Sequence, residues 1–258
     1  MNNIHSTAIV SEHAKLGDNI SVGPYSIIEE NVEIGNDCII GSHAGIYNGA
    51  RIGNRVKIYQ GASVSNHPQD LKYAGEDAVF IIGDDTVVRE FATLHKGTKD
   101  SGKSVVGKNC LLMAYSHVAH DCSVGDNCII ANAVQIGGHS HIENYVIIGG
   151  STPVHQFTLI GEHSMIAGGI RIVQDVPPFI LAANLPAVYG GLNVVGLRRR
   201  GFKNEDILLL KDVYSLIYNK SHNVSQALKI VEEKFGENVY ARKVVDFISK
   251  SKRGIIGK

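Results

Sequence analysis

The sequence predicts a mainly β protein: a parallel β-helix built from hexapeptide repeats, followed by a C-terminal α-helical domain. Three observations support this fold class. An aliphatic residue recurs at every sixth position, polar insertions interrupt the period without shifting it, and helical spacing replaces the period near the C-terminus. We place the β-helix at residues 1–176, with inserted loops at 65–79 and 96–104, and the helical domain at 177–258.

The six-residue period runs from Ile4 to Ile172. Of the 29 positions in this frame, 26 are aliphatic, and the exceptions are Asp70, Glu76 and Asp100. A period of six belongs to neither an α-helix nor an alternating strand. In a hexapeptide β-helix, three short strands make one coil of about 18 residues, and stacked coils bury their aliphatic residues in a continuous interior.

The three exceptions mark two polar segments that are rich in turn-forming residues, at 65–79 and 96–104. Because the aliphatic frame resumes in phase after each segment, both are predicted to loop out of the wall and return to it. Long loops on a rigid scaffold often carry function.

The period stops after Ile172, and helical signals follow. Asn204 precedes two acidic residues, as is typical of a helix N-cap, and Asn223 with Gln226 matches a capping box. A third helix is predicted over about 238–250. Three helices are therefore expected to cover the open end of the stacked coils.

The charges of the chain are divided unevenly between its two parts. The 25 basic and 25 acidic residues balance overall, but residues 177–258 hold 14 basic against 7 acidic ones. This basic region predicts either an anionic ligand or partner, or simply a solvated basic surface. The sequence has no apolar run of 18 residues and no signal peptide at its start, so we expect a cytoplasmic protein without a membrane span or a nucleic-acid partner.

The four cysteines share one phase of the repeat, which small or β-branched residues otherwise occupy. We therefore predict that they are reduced residues of the interior, and we expect no metal and no cofactor. The cysteines are Cys38, Cys110, Cys122 and Cys128.

The stacking rule also places candidate catalytic groups. Residues 18 apart lie on adjacent coils about 4.8 Å apart, which puts Gly138 above His120 and His139 above Asp121. An imidazole beside a carboxylate can act as a general base, and a glycine amide can approach a developing oxyanion closely. Because the cysteines face inward and no nucleophile motif is present, direct transfer is favoured over a covalent intermediate.

Four motifs, in this order, resemble those of the acyl-ACP:UDP-N-acetylglucosamine O-acyltransferase family, over essentially the whole chain. They are Gln69-Asp70-Leu71-Lys72-Tyr73-Ala74-Gly75-Glu76, His117-Val118-Ala119-His120-Asp121-Cys122, Val154-His155-Gln156-Phe157 and Gly196-Leu197-Arg198-Arg199-Arg200-Gly201-Phe202. The resemblance implies a left-handed β-helix and a homotrimer with active sites between subunits. It also implies transfer of a 3-hydroxyacyl chain from acyl carrier protein to the 3-hydroxyl of a UDP-sugar, the first step of lipid A biosynthesis.

The resemblance assigns roles to residues. It implies that His120 is the base, that Asp121 orients it and that the Gly138 amide is the oxyanion donor. The substrate-binding residues that it implies are Asp70, Leu71, Lys72, His95, His117, His139, His155, Gln156, Asn193, Arg199 and Arg200. Gly168 matches the position where a small residue leaves room for a long acyl chain, and Arg171 lies nearby.

Val195 departs from the family pattern, because many members have a glutamate there that contacts the nucleoside. A related branch that acylates a 3-amino sugar remains open. So does a metal-dependent hydratase of the γ-carbonic anhydrase type, which would need three histidines such as His95, His117 and His120 on a metal.

Overall fold

Short strands at every sixth residue form the three walls of a prism in the computed structural model, which describes residues 1–258. Because each strand is only two to four residues long, the chain turns a corner after each one. The strands of the prism are β1 (Asn3–Ile4), β2 (Ile9–Val10), β3 (Lys15–Leu16), β4 (Ser21–Val22), β5 (Ile27–Ile28), β6 (Glu33–Ile34), β7 (Ile39–Ile40), β8 (Gly45–Ile46), β9 (Ala50–Ile52), β10 (Lys57–Ile58), β11 (Ser63–Asn66), β12 (Val79–Ile82), β13 (Val87–Val88), β14 (Thr93–His95), β15 (Lys103–Val106), β16 (Leu111–Leu112), β17 (His117–Val118), β18 (Ser123–Val124), β19 (Ile129–Ile130), β20 (Gln135–Ile136), β21 (His141–Ile142), β22 (Ile147–Ile148), β23 (Pro153–Val154), β24 (Leu159–Ile160) and β25 (Met165–Ile166).

Each wall is a parallel sheet made of every third strand. Sheet A begins with β1, β4 and β7 and reaches β25, sheet B runs from β2 to β23, and sheet C runs from β3 to β24. His117 pairs with Gln135, 18 positions further on, as predicted. Across the insertions the pairs lie 24 and 30 positions apart, as for Thr93 with His117 and Ser63 with Thr93. Both separations differ from 18 by a multiple of six, so the aliphatic frame survives.

The aliphatic frame fills the interior of the prism. Every aliphatic frame residue from Val22 to Ile172 is buried, whereas Ile4 is 42% exposed because the first coil has no coil beneath it. A fully buried aliphatic side chain contributes about 1.5–3 kcal/mol, so the stacked rows supply most of the stability of the prism. The four cysteines are buried and unpaired, as predicted.

The C-terminal end of the prism is covered by a hairpin and four helices. Strands β26 (Ile180–Ala183) and β27 (Val188–Leu192) extend sheet A, β26 in parallel with β25 and β27 antiparallel to β26. The helices are α1 (Val194–Arg199), α2 (Asn204–Ile217), α3 (Val224–Phe235) and α4 (Val239–Lys250).

The prediction of three helices was therefore wrong, because the structure has four helices. The hairpin was not predicted. Helices α2, α3 and α4 are the predicted ones, whereas α1 has only six residues, too few for a helical period to be visible. Asn204 is the first residue of α2 rather than its cap, which is Lys203. The capping box of Asn223 and Gln226 is present as predicted.

Tyr214 connects the C-terminal helices, which we call the cover, to the prism. Its side chain is fully buried, and its hydroxyl donates a hydrogen bond of 2.6 Å to the carbonyl of Pro178. The ring also stacks near Tyr189 on β27, at a centroid distance of 5.5 Å. None of the helices is both long and apolar enough to cross a membrane.

Candidate active site

One edge of the prism, between sheets B and C, gathers both inserted loops and the predicted catalytic pair. Residues 67–78 connect β11 of sheet B to β12 of sheet C, and residues 96–102 connect β14 to β15 in the same way. His120 and Asp121 connect β17 to β18, one coil further on. The insertions therefore build a wall beside His120, and we call residues 67–78 the sugar loop and residues 96–102 the clamp loop.

The carboxylate of Asp121 is buried and accepts four hydrogen bonds. Oδ1 accepts from the Thr98 amide at 3.0 Å and from the Ser101 hydroxyl, and Oδ2 accepts from the Thr98 hydroxyl at 2.8 Å. The fourth donor is His120 Nδ1, also 2.8 Å from Oδ2. Burial raises the pKa of Asp121, but the hydrogen bonds from the Ser101 hydroxyl, the Thr98 amide and His120 outweigh burial and lower the pKa to about 2.

An ionised carboxylate can only accept, so the Nδ1 of His120 carries a hydrogen. In the neutral ring, Nε2 is then the atom with the free lone pair, as a general base requires. The His120 side chain is 13% exposed and that of Asp121 is 1% exposed. The imidazole of His120 therefore reaches the surface, whereas the carboxylate of Asp121 does not.

Gly138 lies directly over the imidazole, as the stacking rule predicts. A Cβ on Gly138 would come within 2.8 Å of both Cε1 and Nε2 of His120, so only glycine fits against the ring. The Gly138 carbonyl accepts from Phe157, whereas its amide makes no hydrogen bond. At the edge between sheets C and A, by contrast, the equivalent amide is capped from the next coil: Asp18 by Asn36, Asn36 by Asn54, Lys108 by Asp126, and Asp126 by Asn144.

The uncapped Gly138 amide is therefore a free donor on the glycine that packs against the candidate base. Its counterpart on the next coil, Gln156, is exposed and does not cap it. A free amide beside a base is the arrangement that stabilises an oxyanion during acyl transfer.

His139 lies over Asp121. We call the group formed by His120, Asp121, Gly138 and His139 the ridge. Its ring packs edge-on against His120 at 5.1 Å and stacks on Phe157 at 4.5 Å with an interplanar angle of 5°. Its Nε2 is 3.9 Å from Asp121 Oδ2 and 3.9 Å from a carboxylate oxygen of Asp100. These contacts fix the orientation of the His139 ring beside the pair.

His95 and His117 lie on adjacent strands of sheet B, with ring centroids 4.8 Å apart. His117 precedes His120 on the same coil, and His95 lies one coil earlier. Burial, together with His117 and His120, lowers the pKa of His95 to about 4. Burial also lowers the pKa of His117, whose Nδ1 is 2.8 Å from the Thr93 hydroxyl. Both rings are therefore neutral near pH 7 and serve as hydrogen-bonding groups, and the buried Nδ1 of His95 has no partner.

His155 and Gln156 are exposed on the same edge, one coil beyond His139. His155 Nδ1 lies 2.9 Å from the Gln156 carbonyl oxygen. Both side chains are thus available to a ligand that extends along the ridge towards the C-terminal cover.

The sugar loop presents the predicted Asp70, Leu71 and Lys72 at its surface. The Asp70 carboxylate accepts from the Lys72 amide at 3.0 Å, which fixes the turn, and Leu71 is 107% exposed. A fully exposed leucine on an ordered turn can contact a ligand.

Asn193, Arg199 and Arg200 do not join the ridge of their own chain. The Asn193 side chain caps α1 and donates to the His163 carbonyl at 2.9 Å. Arg200 lies 5.3 Å over the ring of Tyr145, at the edge between sheets C and A. Arg199 is exposed on the same helix. This edge and the edge with His120 are different corners of the prism.

Gly168 and Arg171 lie on the last coil, and both are exposed. A Cβ on Gly168 would come 3.1 Å from the Gly150 carbonyl oxygen, so a side chain there would crowd the wall. Arg171 and Gly169, the residue after Gly168, line a cavity of about 560 Å³. Its other lining residues are Pro153, Val173, Gln174, Leu185, Pro186, Ala187 and Ile256.

Sequence reasoning missed Thr98, Ser101 and Thr93. The stacking rule locates residues on regular coils, and it fails in the clamp loop because that loop leaves the repeat. Potential metal ligands do meet at His120, Asp121 and His139, within 4.8 Å of one another. However, His95 and His117 are not in that group, and His120 Nδ1 and Asp121 Oδ2 are hydrogen-bonded to each other.

The fold and the ridge define a transferase of the hexapeptide-repeat class. The family model described as bacterial transferase hexapeptide (six repeats) matches residues 13–48, 31–66 and 103–138, and the model described as UDP N-acetylglucosamine O-acyltransferase, domain 2, matches residues 175–256.

Relatives and solved structures narrow the class to one family. An acyl-[acyl-carrier-protein]–UDP-N-acetylglucosamine O-acyltransferase of a Sulfurihydrogenibium species is 53% identical over 98% of this chain and 93% of its own length, and that of Aliarcobacter butzleri is 43% identical over 99% and 98%. The UDP-N-acetylglucosamine acyltransferase structure of Francisella novicida superposes with a TM-score of 0.96 at 37% identity, covering 99% of this chain and 94% of that one. This chain belongs to the acyl-[acyl-carrier-protein]–UDP-N-acetylglucosamine O-acyltransferase family.

Proposed function

We propose that this chain transfers a 3-hydroxyacyl group from acyl carrier protein to the 3-hydroxyl of UDP-N-acetylglucosamine, the first step of lipid A biosynthesis. The observation that carries the proposal is the ridge where the ordered His120–Asp121 pair meets the uncapped amide of Gly138. The names of the relatives support the choice of donor and acceptor.

The reaction would proceed by direct attack. His120 Nε2 removes the proton of the sugar hydroxyl as its oxygen attacks the thioester carbonyl, and the Gly138 amide donates to the resulting oxyanion. Collapse of the intermediate forms the ester and breaks the carbon–sulfur bond. The proton on His120 then passes to the departing thiolate, so the enzyme returns to its starting state.

The groups around the ridge supply contacts for the sugar. The proposed contacts are those of Asp70, Leu71 and Lys72 on the sugar loop, with His95, His117, His139, His155 and Gln156 along the edge. Two neutral histidines can donate or accept a hydrogen bond without attracting a counter-ion, which suits an uncharged sugar ring.

A second copy of the chain would complete the site. Asn193, Arg199 and Arg200 are proposed nucleotide contacts, yet they lie at a different edge from His120 within one chain. Sheet A also presents an outward aliphatic row on five successive coils, consisting of Val87, Leu111, Ile129, Ile147 and Met165. Such a row favours burial against a partner, and we propose a homotrimer with sites between subunits.

Mixed trimers test the shared site. His120→Ala and Arg199→Ala are each expected to lower activity, and co-expression of the two variants should restore about a quarter of the sites, since each site takes one group from each of two subunits. Light scattering of the mixture should give the mass of three chains. Loss of activity that mixing does not relieve would contradict a shared site.

The basic C-terminal region would dock the carrier protein. Its 14 basic residues against 7 acidic ones give a positive surface for an acidic partner. The cavity lined by Arg171 would receive the end of the acyl chain, and we expect a chain of medium to long length. Gas chromatography of the product from a mixed acyl-carrier pool would contradict this expectation if only short chains appeared.

The decisive assay supplies 3-hydroxyacyl carrier protein with either UDP-N-acetylglucosamine or its 3-amino analogue. We expect an ester with the first acceptor. An amide product from the second acceptor alone would replace O-acylation by N-acylation. Stoichiometric zinc in the purified protein, together with hydratase activity, would replace both.

A further inference from the structure

Two residues of the clamp loop hold the carboxylate of Asp121. Thr98 donates to both oxygens of Asp121, through its amide and its hydroxyl, and Ser101 donates to Oδ1. Thr98 is buried, with an exposure of 4%. Together with His120 these donors occupy the roughly four acceptor sites of a carboxylate, so Asp121 has no freedom to rotate.

The two hydroxyl groups are not equivalent. The Thr98 oxygen accepts from the Asp100 amide at 3.3 Å, which leaves its hydrogen directed at Asp121. The single hydrogen of Ser101 is shared between Asp121 and the Lys103 carbonyl, 2.8 Å away. Thr98 therefore holds the carboxylate through two hydrogen bonds, whereas Ser101 contributes one, the hydrogen bond that lowers the pKa of Asp121 most.

The clamp loop is also tied to the sugar loop. One oxygen of the Glu76 carboxylate accepts from the Lys99 amide at 3.1 Å, and the other accepts from the Ala74 amide at 2.8 Å. Val79 donates through its amide to the Gly102 carbonyl at 3.0 Å. The loop that would hold the acceptor sugar and the loop that holds Asp121 thus form one connected unit.

We infer that Thr98 and Ser101 are positioning residues for the His120–Asp121 pair, and that the clamp loop exists to fix the Nδ1–H form of His120. This inference rests on the proposed function and assigns these residues no contact with substrate. They act on His120 only through Asp121.

The test compares Thr98→Val, which keeps the volume but removes the hydroxyl, with Thr98→Ser, which restores it. We expect Thr98→Val to lower kcat about tenfold, because a buried hydrogen bond to a charged group is lost, with KM for UDP-N-acetylglucosamine within about twofold of wild type. Thr98→Ser should regain most of kcat, and Ser101→Ala, which removes one hydrogen bond to the same carboxylate, should also lower kcat about tenfold.

Nitrogen chemical shifts of the His120 ring provide a readout that does not need activity. Wild type should show the Nδ1–H form, and the Thr98→Val/Ser101→Ala double variant should show a mixture of tautomers. An unchanged kcat in folded Thr98→Val, together with an unchanged tautomer in the folded double variant, would overturn the positioning role. A wild-type chain that forms no product would instead overturn the proposed function, and the ring shifts would still decide the role of the clamp loop.

Discussion

Replacement of Gly138 by alanine tests the ridge through a single methyl group. The added Cβ would lie 2.8 Å from Cε1 and Nε2 of His120, whereas ordinary contacts begin near 3.4 Å, so the imidazole must retreat by about 0.6 Å. It cannot retreat freely, because its Nδ1 is held 2.8 Å from a carboxylate that three further donors fix in place.

A displacement of this size matters at a reacting atom. Misplacement by about 1 Å can cost about 100-fold in rate, so Gly138→Ala should lower kcat by about 10- to 100-fold. The fold should persist, since Gly138 does not have the positive φ that favours glycine and alanine reduces the entropy of the unfolded chain. Steady-state acyl transfer measures the rate, and thermal melting checks the fold.

Gly257→Ala is the matched control, because nothing lies within 4 Å of the Cβ it would add. It should retain wild-type kcat. The double variant Gly138→Ala/His120→Ala should be no slower than His120→Ala alone, because both changes disable the same group. Activity of Gly138→Ala within twofold of wild type would refute the packing argument.

Two further predictions concern stability. The pKa of His95 falls from 6.5 in the unfolded chain to about 4 in the folded protein, so the unfolded chain is protonated first and the free energy of unfolding decreases as the pH falls from about 6.5 to 4. His95→Gln should remove about 2–3 kcal/mol of this decrease, as measured by urea titrations at pH 7 and pH 4. An unchanged pH dependence of the free energy of unfolding would contradict the assignment. Tyr214→Phe leaves the Pro178 carbonyl without its partner and should lower the free energy of unfolding by about 1–3 kcal/mol, and a variant as stable as wild type would show that this contact does not secure the cover.

The regular part of the fold was predictable because it follows from a single quantity, the six-residue period. A strict period of six determines which residues face inward and which stack, and it correctly predicts Gly138 over His120 and His139 over Asp121. Both insertions preserve the phase, since the coils that contain them differ from 18 residues by a multiple of six.

The parts that the sequence did not reveal are those outside the repeat. Thr98 and Ser101 reach Asp121 from a loop whose path depends on tertiary packing, so no spacing rule relates them to the acid. Helix α1 is too short for a helical period, and its cap, Asn193, was expected only as a ligand contact. The hairpin of β26 and β27 had a signal, an Asn-Leu-Pro turn between two apolar runs, which the end of the hexapeptide frame obscured.

The central claim is that the imidazole of His120 removes the proton of the attacking hydroxyl. Its most direct test is the rate of acyl transfer by His120→Ala at saturating concentrations of 3-hydroxyacyl carrier protein and UDP-N-acetylglucosamine. The ridge geometry predicts a fall in kcat of about 100-fold or more with the fold intact. Wild-type turnover by this variant would contradict the claim.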